Sequence, residues 1–247
     1  MKVAIGFFGI TRSLKYTIDS IRKNIFSALD SENVEFDVFV HCYSLTTYKN
    51  KRTKENIENS FMIDNDEYKL LNPKWYKQDN QDEIAKKLNL KRFRTHRDPW
   101  STDYNSVDNF ILGAYSKYIL TSMINENIKE YDYIVFMRPD CLYSHKLKSE
   151  FFKLVTDTSI VIPNFHCFGK YKVNDRFAIT NTKNYKIYGE VYTQLLEISK
   201  NQCLHSETIL GMILKEKNSL SIQKVKFNFC RVRCDGRICD NDKKLHP

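Results

Sequence analysis

The sequence predicts a single α/β domain with a mainly parallel central sheet flanked by helices. Three observations predict it. Between Lys2 and His41 an apolar strand, a tight loop, an amphipathic helix and a second apolar strand follow one another, and a β-α-β unit of that kind favours parallel strands joined by a right-handed crossover. A further apolar run, Tyr131 to Met137, has the composition of a strand buried on both faces. No internal repeat and no Gly-, Pro- or Ser-rich linker divides the 247 residues, a length that suits one substantial domain.

The elements follow in order. Val3 to Phe8 is short, apolar and β-prone, and it ends at Gly9-Ile10-Thr11-Arg12-Ser13, where Gly and Ser mark a turn and Ser13 can cap a helix. Leu14, Ile18, Ile21, Ile25 and Leu29 then fall on one helical face. Phe36 to His41 is the second strand. Tyr43 to Tyr104 is polar, with a strand expected near Lys69 to Trp75 and a short helix near Asp82 to Leu88, and is read as a mobile, substrate-covering region. A long helix is expected over Val107 to Ile128. The strand after it must stop at Arg138-Pro139-Asp140, because proline cannot donate to a ladder. Beyond it the pattern predicts a helix at Leu147 to Val155, strands at Ser159 to Ile162 and Arg176 to Ile179, and helices at Asn184 to Ile198 and Ser206 to Lys215. A strand at Leu220 to Phe229 completes the domain, residues 1–236, and 237–247 is a polar tail.

Composition removes several classes. With 42% hydrophobic and 28% charged residues the chain is too apolar to be disordered, and 7 Gly and 5 Pro exclude collagen-like or low-complexity structure. No window approaches the roughly 18 consecutive apolar residues of a membrane helix, and the N-terminus runs directly into a strand without a signal peptide. A cytoplasmic protein is expected. Its seven cysteines, an odd number, are expected as reduced thiols. Cys230, Cys234 and Cys239 lack the C-x2-C spacing of a zinc knuckle and read as part of a packed or disordered tail. The net charge of +9 comes with acidic residues interleaved almost everywhere, and only Lys91 to Arg97 is a basic cluster. Nucleic acid is therefore not the expected partner, whereas a basic cleft suits a phosphate-bearing small molecule.

In an open α/β sheet, ligands sit beyond the carboxyl ends of the strands. Three such places carry chemistry. Gly9 to Ser13 offers small residues, free amides at a helix start and Arg12 to a nucleotide, although it is neither a P-loop nor a G-x-G-x-x-G fingerprint, and it reads equally well as a turn with a surface arginine. At Arg138-Pro139-Asp140-Cys141 a carboxylate can hold Mg²⁺ or Mn²⁺ against a diphosphate, or the arginine can neutralise that charge itself, or the two side chains can simply close a turn. Asn174-Asp175-Arg176 and His205-Ser206-Glu207 each place a carboxylate where it can act as general base, while Ser206 as N-cap and Glu207 as a first-turn charge is the competing account.

Taken in order, IGFFGITRSLKYTIDSI, FDVFVHCY, YDYIVFMRPDCLY, NDRFAI, LHSE and RVRCDG resemble the GT-A-type nucleotide-sugar glycosyltransferases of giant viruses and of some bacteria and algae. The resemblance runs from Lys2 to about Gly236 and is weakest between Tyr43 and Tyr104. It implies a GT-A-like, Rossmann-like domain that moves a sugar from a UDP-, GDP- or dTDP-linked donor to an acceptor hydroxyl on a glycan, in the host cytoplasm if the source is viral. It further implies that Gly9, Thr11 and Arg12 contact the nucleotide. The family's Asp-x-Asp element falls on Arg138-Pro139-Asp140, which makes Asp140 the residue for Mn²⁺ or Mg²⁺. Arg138 stands where the first Asp is usual, so metal dependence is an open point. If the enzyme inverts, Glu207 is the first choice for general base and Asp175 the second, with Tyr115 a donor-site contact. The rival readings are a nucleotide-sugar nucleotidyltransferase, from Gly9-Ile10-Thr11-Arg12, and a nucleic-acid-binding module, from the charge.

Overall fold

The computed structural model describes residues 1–45, 49–50, 55–56, 64–240 and 242. Part of the polar stretch expected to cover the substrate lies outside them. A seven-stranded sheet forms the centre, its strands lying side by side in the order Ser221–Val225, Ser159–Pro163, Phe177–Asn181, Tyr133–Met137, Lys2–Gly9, Glu35–Ser44 and Trp75–Asn80. Strand β1 (Lys2–Gly9) leads into α1 (Leu14–Ile21), a π-helical turn Arg22–Phe26 and α2 (Ser27–Ser31), and the chain returns as β2 (Glu35–Ser44). The short strands β3 (Lys49–Asn50) and β4 (Glu55–Asn56) pair with each other, and β5 (Trp75–Asn80) then adds to the edge of the large sheet beside β2. Helix α3 (Gln81–Leu88) and the long α4 (Asn105–Glu126) precede β6 (Tyr133–Met137). Strands β7 (Cys141–Tyr143), β8 (Ser159–Pro163) and β9 (Phe177–Asn181) come next. Helices α5 (Tyr185–Gly189), α6 (Tyr192–Ser199) and α7 (Ser206–Gly211) lead to β10 (Ser221–Val225) and β11 (Phe229–Arg231).

The strands expected at Val3 to Phe8, Phe36 to His41 and Tyr131 to Met137 are interior. In β1, Val3, Ile5 and Phe7 join one apolar layer while Ala4 and Phe8 join the other, and β6 divides its side chains in the same way. This alternation on a strand with no polar face is the pattern of burial on both sides. All neighbouring pairs are parallel except those of β9, which runs antiparallel to both β6 and β8. That exception positions the site. Phe7 pairs with Met137, so β1 and β6 end side by side, and Phe177 also pairs with Met137. The residues that follow β1 and β6 and those that precede β9 therefore emerge at one edge.

Several boundaries differ from the sequence expectation. The strand expected near Lys69 to Trp75 is a 3-10 turn over Glu67–Leu71, followed by the left-handed Asn72 and by Pro73, so pairing begins only at Trp75. The helix expected at Leu147 to Val155 is a 3-10 helix, Ser149–Leu154. The helix expected from Asn184 to Ile198 is two, broken after Gly189. The last strand is also two pieces: β10 closes the large sheet, and β11 pairs with β7 in a separate ribbon. The described part of 237–247 is docked on the domain, through a bridge between Ile238 and Val232 and through Asp242, which is buried against Arg231. Among the described residues no helix is long and apolar enough to cross a membrane.

Helix α4 lies close against β1. Gly6 admits the Leu120 side chain, and Gly189 of α5 meets Thr121, whose hydroxyl donates to the Lys117 carbonyl (2.7 Å). A Cβ at Gly189 would sit 2.1 Å from Thr121 Oγ1. We therefore expect Gly189→Ala to cost roughly 1–3 kcal/mol through overpacking, read as a lowered denaturant midpoint, with Thr121→Ala restoring part of the loss. An unchanged midpoint would contradict this packing.

Candidate functional site

A cavity of about 820 Å³ opens at the edge where β1 and β6 end. Its walls include Gly9 and Arg12, Arg138 and Asp140, Asp175 and Arg176, and His205 to Glu207, with Lys117 from α4 and Arg231, Arg233 and Arg237 from the C-terminal arm. The sheet edge thus gathers the segments that the sequence pointed to separately.

Gly9 adopts φ +105°, a conformation open to glycine and strained for other residues. Its N–H donates to Ser116 Oγ (2.8 Å), which lies 2.7 Å from His41 Nδ1, and His41 Nε2 lies 3.2 Å from Asp79. Burial pushes the His41 pKa down to about 4, against the pull of Asp79, so the ring is neutral near pH 7. The Ser-His-Asp row has the look of a nucleophilic relay. Yet Ser116 and His41 are fully buried, and the serine oxygen accepts the Gly9 amide. The row fixes the loop after β1 instead. Thr11 is buried and does not line the cavity; its carbonyl accepts from Leu14 N at the start of α1. Arg12 does line it, with Nη2 3.9 Å from Asp140.

The turn after β6 carries a fork-to-fork ion pair. Arg138 Nε and Nη2 donate to the two carboxylate oxygens of Asp140, each at 2.7 Å. Asp140 is 2% exposed. Burial would raise its pKa, but the Arg138 guanidinium, with Arg12 and Arg233 behind it, outweighs that and holds the carboxylate well below its usual range. The turn is tied down by Thr17 Oγ1 donating to the Pro139 carbonyl (2.6 Å), by Tyr143 OH donating to the Arg138 carbonyl (2.8 Å) and by Val232 N donating to the Asp140 carbonyl (2.9 Å). Each oxygen of Asp140 thus accepts one hydrogen bond from Arg138, and among the described residues no three acidic, histidine or cysteine side chains cluster in a way that could hold a metal. That covers Cys230, Cys234 and Cys239 as well.

Also on the cavity wall, Arg176 lies between two carboxylates, 3.7 Å from Asp175 and 3.7 Å from Glu207. Asp175 Oδ1 and Arg176 Nη1 are buried without a hydrogen-bond partner. For Asp175, burial raises the pKa, but Arg176, the Ser206 hydroxyl, Lys117 and Arg138 together bring it below the usual value. Glu207 moves the other way: burial and then the Asp175 charge raise its pKa. Ser206 does not cap α7. His205 occupies the cap position, its Nδ1 accepting from Thr208 N, while Ser206 Oγ donates to Glu207 Oε2 (2.6 Å). Glu207 is therefore a buried, hydrogen-bonded carboxylate on the cavity wall rather than a solvated charge in a first helical turn. Trp100 stacks on His205 at 5.0 Å and closes this side.

Two further placements matter. Tyr115, expected to touch the donor, faces α6 and packs against Tyr192 (5.1 Å) and Tyr118 (6.3 Å), away from the cavity. Two residues on, Lys117 takes the place on the wall that helix periodicity did not mark, because a lysine inside an apolar helical run reads as a solvent-facing residue. It is 5% exposed, with Nζ 3.8 Å from the Tyr188 ring centre. Burial lowers its pKa to about 8, against the attraction of Asp175. In the basic cluster, Arg94 is paired with Asp108 at 2.5 Å.

Fold and site together define an α/β protein whose cleft lies beyond the carboxyl ends of its parallel strands and is built from arginines and buried carboxylates. No family model matches the chain, and no curated protein matches it in sequence. Among solved structures, its fold is similar to the crystal structure of a glycosyltransferase involved in the glycosylation of the major capsid of PBCV-1, with 8% identity and a TM-score of 0.44 over 91% of this chain and 81% of that one.

A buried ammonium that no packing demand explains should cost stability. Lys117→Met keeps the volume and removes the charge, and we expect it to raise Tm at pH 7 by about 2–4 °C. The sign follows from the folded pKa lying below the ordinary 10.5. The penalty is full below about 8 and fades as pH rises toward the unfolded value, so the gain should shrink over that range. A Tm lower than wild type at pH 7 would contradict it.

Proposed function

We propose that this protein is a glycosyltransferase that moves a sugar from a nucleoside diphosphate donor to an acceptor hydroxyl, on a glycan. One observation carries this reading. The glycine loop after β1, the arginine-rich turn after β6 and the carboxylates Asp175 and Glu207 meet in one cavity large enough for a sugar nucleotide. Transfer needs the two chemistries that these segments supply.

In the step itself, the acceptor oxygen forms a bond to the anomeric carbon as the bond from that carbon to the β-phosphate oxygen breaks. The electron pair leaves with the diphosphate, and the acceptor proton must go to a base. Glu207 suits the base. Its raised pKa makes it a better proton acceptor than an ordinary carboxylate, and Ser206 fixes its second oxygen. Asp175, kept ionised by Arg176, suits the hydroxyls of the sugar or the positive charge that develops at the anomeric centre. The leaving diphosphate falls to the guanidinium groups beside Asp140, which stabilise charge most as it accumulates. Gly9 and Arg12 are the contacts for the nucleoside.

A thermal-shift screen of UDP-, GDP- and dTDP-sugars should single out one base, because a ligand that binds only the folded chain raises Tm. With that donor, Glu207→Gln should leave binding nearly intact and lower the transfer rate by roughly 10² to 10⁴. Near-normal transfer by Glu207→Gln would remove Glu207 as base, and no shift with any sugar nucleotide would remove the proposal.

A further inference from the structure

We infer that the cleft binds the diphosphate of its donor through arginine alone, with Asp140 serving as the anchor of an arginine cradle and not as a metal ligand. The inference rests on the proposed sugar transfer for the identity of the ligand and on geometry for the rest. A carboxylate that holds a divalent cation must present at least one oxygen lone pair to it. Both oxygens of Asp140 accept hydrogen bonds from Arg138 at 2.7 Å, and Arg12 lies 3.9 Å away on the Oδ2 side. A cation arriving on a remaining lone pair would have to sit beside two guanidinium groups, whose charge repels it.

The arginine, by contrast, has donors to spare. Guanidinium offers five N–H bonds in a fixed plane. Asp140 takes Nε–H and one hydrogen of Nη2, which leaves Nη1 and the second hydrogen of Nη2. Nη1 and Cζ lie on the side of Gly9, each 3.9 Å from where a Cβ on that glycine would stand. The open edge of the fork therefore faces the nucleotide loop, and Arg138 is 26% exposed where Asp140 is 3%. Glycine at position 9 leaves room for a phosphate to approach that edge.

The cradle draws on three distant segments: Arg12 from the loop after β1, Arg138 from the turn after β6 and Arg233 from the C-terminal arm, each pulling on the same carboxylate. The arm is held in place independently of a ligand. Ser13 Oγ donates to the Val232 carbonyl (3.0 Å), and Arg231 is clamped by Asp242. Asp140 thus orients Arg138 directly and has Arg12 beside it, while Arg233, which donates to Cys239 Sγ (2.8 Å), adds its charge to the same wall. Asp140 acts here as a positioning residue.

Inorganic pyrophosphate tests this without knowledge of the base or the sugar. Titrated calorimetrically into the full chain with EDTA at physiological ionic strength, it should bind, and Mg²⁺ should change the affinity by no more than about twofold. Arg138→Gln should weaken binding by roughly 10-fold or more, the usual loss for a charged hydrogen bond, and Arg233→Gln should weaken it as well. Because Arg138→Gln alone strands a buried carboxylate, the pair Arg138→Gln with Asp140→Asn, which stays neutral and hydrogen-bonded, is the control. It should fold, judged by its melting transition, and still fail to bind. Binding that appears only with Mg²⁺, that survives the double substitution or that is absent in both buffers would overturn the inference. Pyrophosphate bound in EDTA by a protein that turns over no sugar nucleotide would uphold the cradle and end the glycosyltransferase proposal. Transfer that occurs only with a divalent cation would do the reverse.

Discussion

The carboxylate of Asp140 is the point on which the cleft closes. It is buried and ionised, a state that costs several kcal/mol unless every lone pair is answered, and the answers come from chain segments far apart in sequence. Arg138 meets it head-on, while Arg12 and Arg233 add charge from the first loop and the last arm. Its own backbone carbonyl accepts from Val232, so the turn after β6 and the arm are also joined through the main chain. Removing the carboxylate would take away the negative charge that stands beside both Arg138 and Arg12.

Helix α4 supplies the other constraint. Its turns from Ser116 to Thr121 meet the sheet, the cavity and α5 in succession: Ser116 holds the Gly9 amide, Lys117 reaches the cavity, Leu120 fills the space above Gly6, and Thr121 abuts Gly189. Small residues at Gly6 and Gly189 let the helix come close enough for Ser116 to reach the loop. Packing, loop geometry and cleft electrostatics are thus set by the same stretch of helix, and a cost in any one is felt in the others. The lysine illustrates the exchange, since burial lowers its pKa while the charge of Asp175, on the same cavity, pulls it back up.

Much of the fold was legible because it is periodic. The alternation in Val3 to Phe8, the apolar run at Ile134 to Met137 and the helical spacing of Leu14 to Leu29 belong to elements whose burial dictates their sequence. The direction of β9 was not legible, since the short apolar run Phe177 to Ile179 pairs equally well either way. For the same reason the strand after Leu220 read as one piece: nothing local announces that Lys226 to Asn228 carries the chain from one sheet to another. In the site, residues at element ends were found by position, as Arg12, Arg138, Asp140, Asp175 and Glu207 line the cavity. Residues inside α4 were not. Tyr115 and Lys117 are two apart and point to different neighbours, and a helix buried on several faces gives no polar stripe from which to tell them apart. The Ser116–His41–Asp79 row joins three elements and leaves no mark in any one of them.

The most direct test of the account is a crystal structure of the chain with the nucleoside diphosphate that gives the largest thermal shift. The account predicts phosphate oxygens within hydrogen-bonding distance of Arg138, roughly 2.7–3.2 Å, with the nucleoside against Gly9 to Arg12 and the Arg138–Asp140 fork intact. A nucleotide bound away from both segments, or Asp140 turned from Arg138 to ligate a metal ion on the phosphates, would contradict it.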